Sequence, residues 1–159
     1  MTGKTHLIGG LTAGIAAQYF ADYHAQDLLF LASCTAGALV PDICHGGSKI
    51  GRKLPVLSHL IRILFGHRTV THSLLFMVAL GAILSSTPLP AGITAGILIG
   101  IASHLLLDAA TARGIALLWP LNLKIRLPIY THTGGLFEQI LMALMVVLVG
   151  YIGFQMYVV

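Results

Sequence analysis

His104 and Asp108 stand four residues apart in an otherwise apolar run. On a helix, side chains at that spacing leave the same face one turn apart. An imidazole and a carboxylate so placed offer two ligand atoms to one metal ion. His67 and His72, five apart in Gly66-His67-Arg68-Thr69-Val70-Thr71-His72-Ser73-Leu74-Leu75, add nitrogens from a loop and from the first turn of the next apolar segment. Asp42 follows Pro41 and adds an oxygen, Cys44 and His45 come close behind, and His6 opens the first apolar segment. Zinc accepts such a mixed N/O/S set with a position left for water, and manganese or iron accepts its N/O part. A metal-activated water attacks a phosphate or carboxylic ester, given a base and a positive charge for the oxygens. Asp108 or Glu138 can be that base. Arg68 can supply the charge, or it can anchor to headgroups. Ser73 caps a helix or orients a ligand, and the serine-protease reading lacks a placed base beyond the adjacent His72. The pair His104–Asp108 has a plainer alternative as a hydrogen-bonded tie between helices.

The elements that must position these groups are apolar. The 159 residues are 57% hydrophobic and 9% charged, with mean hydropathy +0.90, against about 25% charged in a soluble domain. A formal charge of +4 in such a chain points to a membrane and not to nucleic acid. Two cysteines, Cys34 and Cys44, make no disulfide framework. The expectation is an all-α, polytopic membrane bundle of about five transmembrane helices, a single integral-membrane domain over residues 1–159. Oligomeric state is left open. The candidate spans are His6–Phe20, Leu28–Val40, Val70–Thr87, Gly92–Ala112 and Leu136–Val158. The first resembles a signal peptide, but Tyr23-His24-Ala25 is a poor cleavage site and the segment is expected to be retained; a re-entrant or interfacial helix is its alternative.

Between the spans, Leu57, Leu60, Ile61, Leu64 and Phe65 recur at helical spacing around Arg62, which suggests a short helix either in the membrane interface or packed on the protein's own loops. Gly92, Gly96 and Gly100 form a small-residue stripe suited to close helix contact. Leu121, Leu123, Ile125 and Leu127 alternate with polar residues and Pro128, the period of an extended segment with one apolar side. With the N-terminus cytoplasmic and the C-terminus periplasmic or external, all nine Lys and Arg fall on the inner side, as the positive-inside rule requires. His6, Asp42, His72, His104, Asp108 and Glu138 then converge on the cytoplasmic leaflet. His24 lies at the other face with no expected role.

The chain resembles the membrane-bound, metal-dependent hydrolase family of the YdjM type, LexA-regulated proteins of the bacterial inner membrane. The resemblance runs through Thr5-His6, the Gly66–Leu75 stretch, His104-Leu105-Leu106-Leu107-Asp108, Gly114-Ile115-Ala116-Leu117-Leu118-Trp119-Pro120 and Arg126-Leu127-Pro128-Ile129. It implies a site built on His6, Asp42, His45, His67, His72, His104 and Asp108, with a Glu matching Glu138. The family usually reads Pro-Asp-x-Asp-His, where this chain has Pro41-Asp42-Ile43-Cys44-His45. Cys44 then either replaces a carboxylate as a softer ligand favouring zinc or weakens one metal position, so the resemblance implies one metal more firmly than two. The expected function is hydrolysis of an ester or phosphoester in a lipid or lipid-linked substrate. Transport of a metal ion or small solute, or a non-catalytic structural or regulatory role, are the alternatives.

Overall fold

A computed structural model describes residues 1–21, 27–66, 68–121 and 123–158. Among the described residues, seven α-helices run in the order α1 (Gly3–Ala21), α2 (Asp27–Gly37), α3 (Lys49–Lys53), α4 (Pro55–Phe65), α5 (Leu74–Ser85), α6 (Ala91–Ala109) and α7 (Leu136–Tyr157), with 3₁₀ turns at Val40–Cys44 and Val70–His72. The all-helical expectation matches this architecture.

The expected spans differ in length. Only α6 and residues Leu136–Met156 of α7 combine the length and apolarity of a membrane-crossing helix among the described residues. Helix α2 has 11 residues and α5 has 12, about 16–18 Å at 1.5 Å per residue, against a hydrocarbon core of about 30 Å. Two local causes shorten them. The segment expected to continue α2 turns after Gly37 and re-enters as a 3₁₀ turn around Pro41, whose missing N–H cannot sustain an α-helix. The segment expected to open at Val70 is 3₁₀ to His72, and α5 begins only after Ser73, whose hydroxyl accepts from Phe76 N at 3.1 Å as its N-cap.

Helices α1, α2 and α6 form the packed centre. Gly100 lies so close to α2 that a β-carbon there would overlap the Cys34 carbonyl and crowd Ala38 N. This is the close approach that small residues permit between helices in a membrane. Phe30, Cys34, Ala38 and Ile101 are fully buried in this contact region and its surroundings. At the end of α6, Ile101, Leu105, Ala109 and Ile115 form one cluster, joined by Val40, Met77, Leu80 and Leu127.

The long connection after α6 folds back on the bundle. Ile115 and Ile125 exchange backbone hydrogen bonds at 3.0 and 2.8 Å, and Leu127 N donates to Ala109 O at 2.9 Å. The alternating segment is therefore only partly one-sided: Ile125 and Leu127 turn inward, whereas Leu121 and Leu123 are exposed, because pairing begins at Ile125. The short amphipathic helix is α4, and its apolar residues Val56, Leu57, Leu60, Ile63 and Leu64 face outward while Ser58 is its buried residue. Helix α7 likewise exposes Phe137, Leu144, Val147 and Tyr151. A soluble chain rarely exposes contiguous apolar surface of this extent.

Candidate metal centre

Four separate segments bring the polar groups together. His6 comes from the first turns of α1, Asp42 from the 3₁₀ turn after α2, His72 from the 3₁₀ turn before α5, and His104 with Asp108 from the last turns of α6. His6, His72 and His104 are fully buried, Asp108 is nearly so, and the Asp42 side chain keeps 15% exposure.

His104 is the centre of the cluster. Its Nδ1 lies 2.6 Å from Ala38 O, and a carbonyl only accepts, so Nδ1 carries the proton and Nε2 is left with a lone pair. That Nε2 lies 3.1 Å from His72 Nε2, while His72 Nδ1 is 3.1 Å from Thr71 Oγ1. Asp108 Oδ2 lies 3.4 Å from His72 Nε2 and 3.7 Å from His104 Nε2; Asp42 Oδ1 lies 4.0 and 3.9 Å from the same two nitrogens. The His6 ring stacks on His104 with centroids 3.7 Å apart. His6 Nε2 is 3.2 Å from Asp108 Oδ1, but it is not aligned for a hydrogen bond, and both His6 nitrogens are buried without a hydrogen-bond partner. Two donor triplets result, His6–His104–Asp108 and Asp42–His72–His104, each with its ligand atoms within 4.8 Å of one another.

The other oxygen of Asp108 faces positive charge. Oδ1 accepts from Arg68 Nη2 at 3.0 Å and from the Met1 amine. Arg68 also donates from Nη1 to Thr111 Oγ1 at 2.8 Å and leaves Nε buried without a partner. Its backbone is in the left-handed region at φ 63°, which costs a non-glycine residue about 1–2 kcal/mol. Ala116 N donates to Arg68 O at 3.2 Å and helps to hold that conformation. Backbone strain of this sort collects where a side chain must be aimed.

The remaining expected residues lie around this centre. Glu138 is buried with both oxygens engaged: Oε1 accepts from Thr2 N at 2.6 Å and Thr5 Oγ1 at 2.5 Å, and Oε2 from Gly134 N at 2.7 Å. It ties the start of α1 to the start of α7, next to His6. Cys44 is buried with Sγ 3.5 Å from Pro41 O and a further interaction with His72, and belongs to neither triplet. His45 is exposed and also outside both triplets. His67 and His24 fall outside the described residues. Sequence reasoning passed over Thr111, Thr71 and Thr5, which orient Arg68, His72 and Glu138. Their one visible signal is position: three residues after Asp108, directly before His72 and directly before His6.

The comparisons with known proteins agree with this placement in a membrane. The whole chain, residues 1–159, matches the family described as YdjM inner membrane protein. The chain belongs to that family. It is a membrane protein. It is 51% identical to the uncharacterized protein YvsG of Bacillus subtilis (strain 168) over 143 residues, which is 90% of this chain and 88% of that one. It is 41% identical to the inner membrane protein YdjM of Escherichia coli (strain K12) over 102 residues, 61% of this chain and 52% of that protein, and equally to its Shigella flexneri counterpart. The matched region thus spans about half the length of the two YdjM proteins. No solved structure matches the chain.

Proposed function

We propose that this protein is a divalent-metal-dependent hydrolase that cleaves an ester or phosphoester bond of a lipid or lipid-linked substrate at the cytoplasmic leaflet. One observation carries the reading: nitrogen and oxygen atoms from separate segments face one another at 3.1–4.0 Å. Ligands on a tetrahedral ion with bonds of about 2.05 Å stand about 3.3 Å apart, so the donor set fits a zinc-like ion. His72, His104 and Asp108 are the nearest three, and the carbonyl of Ala38 fixes the His104 tautomer as the second shell of a metal site does. An ion held there lowers the pKa of water towards neutrality and polarises the bond to be cleaved.

The rest is done by side chains. Glu138 has both oxygens occupied and Asp108 Oδ2 is the carboxylate oxygen nearer to His72 and His104. Asp42, the more distant and more open carboxylate although it belongs to the second triplet, therefore accepts the proton of the attacking water instead of holding the ion. The water oxygen forms the new bond at the acyl carbon or phosphorus while the bond to the leaving alcohol breaks. The proton passes from Asp42 to that alcohol. Arg68, with Nε unpartnered, donates to the oxygens on which charge builds. The shorter helices α2 and α5 complete a multi-pass bundle of about five crossings by local thinning of the bilayer and snorkelling of flanking residues, with the N-terminus inside, as the basic residues support.

Elemental analysis of detergent-purified protein is expected to find about one zinc, manganese or iron per chain, and chelation is expected to stop hydrolysis of lipid esters. Metal-free protein that still hydrolyses them would sink the reading. Cys44 supplies a second test. Since it sits beside His72 outside both triplets, Cys44→Ser should lower zinc affinity by no more than the about 10–100-fold that loss of an orienting contact costs. Loss of zinc in Cys44→Ser, with recovery of manganese binding in Cys44→Asp, would instead put the sulfur among the ligands.

A further inference from the structure

A cavity of about 970 Å³ has Asp42, a member of the candidate donor cluster, and Arg68, which pairs with Asp108, in its lining. Its other walls carry Lys4 from α1, Lys49 and Arg52 from α3, Arg62 from α4 and Arg113 from the loop after α6, and Asp42 is the single carboxylate among the lining residues. A chain with nine Lys and Arg and five Asp and Glu has thus placed six of its cations around one opening. Arg68 pairs with Asp108, but the other five are not there to neutralise protein carboxylates. Asp108 and Glu138 face away into the contacts described above, and none of Lys4, Lys49, Arg52, Arg62 and Arg113 takes part in an ion pair among the described residues. Like charges gathered in a concave site repel one another and focus a positive potential that an anion relieves. Arg68, whose buried Nε has no hydrogen-bond partner, belongs to the same lining.

We propose that this cavity is a recognition site for a phosphate-bearing headgroup, with Arg52, Arg62 and Arg113 as its outer anion contacts and Arg68 at the inner end. Arginine forks match phosphate oxygens bidentately. The volume holds more than a bare phosphate, in the range of sites for small organic ligands. Arg62 sits on α4, whose exposed Leu60, Ile63 and Leu64 are apolar, so one helix carries both a cation for the headgroup and a surface suited to acyl chains. This assignment rests on the proposed hydrolase for the position of the reacting bond, and it selects the phosphoester over the carboxylic ester as that bond. Binding itself needs only the basic wall.

The full chain in phosphatidylcholine nanodiscs, with chelator present, therefore tests it apart from metal chemistry. Dioleoyl phosphatidate is titrated in, with inorganic phosphate as competitor and diacylglycerol as the neutral control. Saturable phosphatidate binding is expected, falling at least about tenfold in the double variant R52Q/R62Q and recovering in part in R52K/R62K, which restores the charge but not the bidentate fork. Arg126→Gln, whose side chain lies on Tyr130 outside the cavity, should bind as the unaltered chain does. Competition by inorganic phosphate at concentrations near those of the lipid would assign the site to a soluble phosphate compound, and its failure to compete would assign it to a lipid headgroup. Equal phosphatidate binding in R52Q/R62Q, or equal binding of diacylglycerol, overturns the proposal. Absence of hydrolysis in the metal-loaded chain, with this binding intact, would overturn the hydrolase reading alone.

Discussion

Asp108→Asn should abolish hydrolysis and weaken zinc binding by more than about 100-fold, beyond the 10–100-fold typical of residues that only support a ligand. The substitution keeps the shape of the side chain. It removes the one negative charge that Arg68, the Met1 amine, His6 and His72 all face. Stability should fall as well, since a buried cation deprived of its partner costs about 3–5 kcal/mol, and the Arg68 side chain is only 12% exposed. The double variant D108N/R68M separates the two effects: it should regain most of the thermal stability in detergent and none of the zinc. Zinc competition against a fluorescent chelator, with circular dichroism for helix content, reads both. Zinc affinity unchanged in Asp108→Asn would remove that residue from the donor set.

The second large effect is expected far from any ligand. Gly100 lies one turn before His104 on α6, where an added side chain would overlap the Cys34 carbonyl of α2. Gly100→Val should therefore separate α2 from α6 and cost about 1–3 kcal/mol or more, as overpacking does. The same displacement would pull Ala38 O away from His104 Nδ1, now 2.6 Å apart, so metal affinity should fall with stability although no ligand has changed. Gly150→Ala is the control. A β-carbon there meets nothing within 4 Å, and removing a mid-helix glycine should leave stability unchanged or raise it by about 0.5–1 kcal/mol. Denaturation profiles in one detergent, with zinc affinity beside them, compare the two variants. Equal behaviour of Gly100→Val and Gly150→Ala would mean that α2 and α6 are not in contact at Gly100.

The cluster was legible where chemistry and periodicity coincide. His104 and Asp108 carry their own geometry in a spacing of one helical turn. His6, Asp42 and His72 could be placed at one end of the bundle because each sits where an apolar run starts or stops. Arg68 was visible as a cation inside a motif. What sequence could not supply was which oxygens are already occupied. Glu138 is a carboxylate at a helix start like any other until Thr2, Thr5 and Gly134 are seen to fill it. Helix lengths were misjudged for a related reason. Hydropathy continues through Val40 and begins again at Val70, but tight 3₁₀ turns at those places are set by Pro41 and by Ser73 capping α5. Likewise Leu121 and Leu123 follow the alternation of Ile125 and Leu127, yet pairing with Ile115 reaches only the latter two.

The order of the contributing segments has a bearing on biogenesis. His6, Asp42 and His72 leave the ribosome well before His104 and Asp108, which share the end of α6. A nascent chain inserted only through α5 holds one donor from a helix start, His6, and two from 3₁₀ turns, Asp42 and His72, but neither His104, common to both triplets, nor the Asp108 carboxylate that gathers the positive groups. On the proposed metal site, capture would then be a late event in synthesis, gated by insertion of α6, and α7 would close the site when Glu138 reaches Thr2 and Thr5 at the start of α1. Helices laid down first and last are joined through the same corner, so a chain stalled before α7 would leave His6 without the anchor that holds its helix in place.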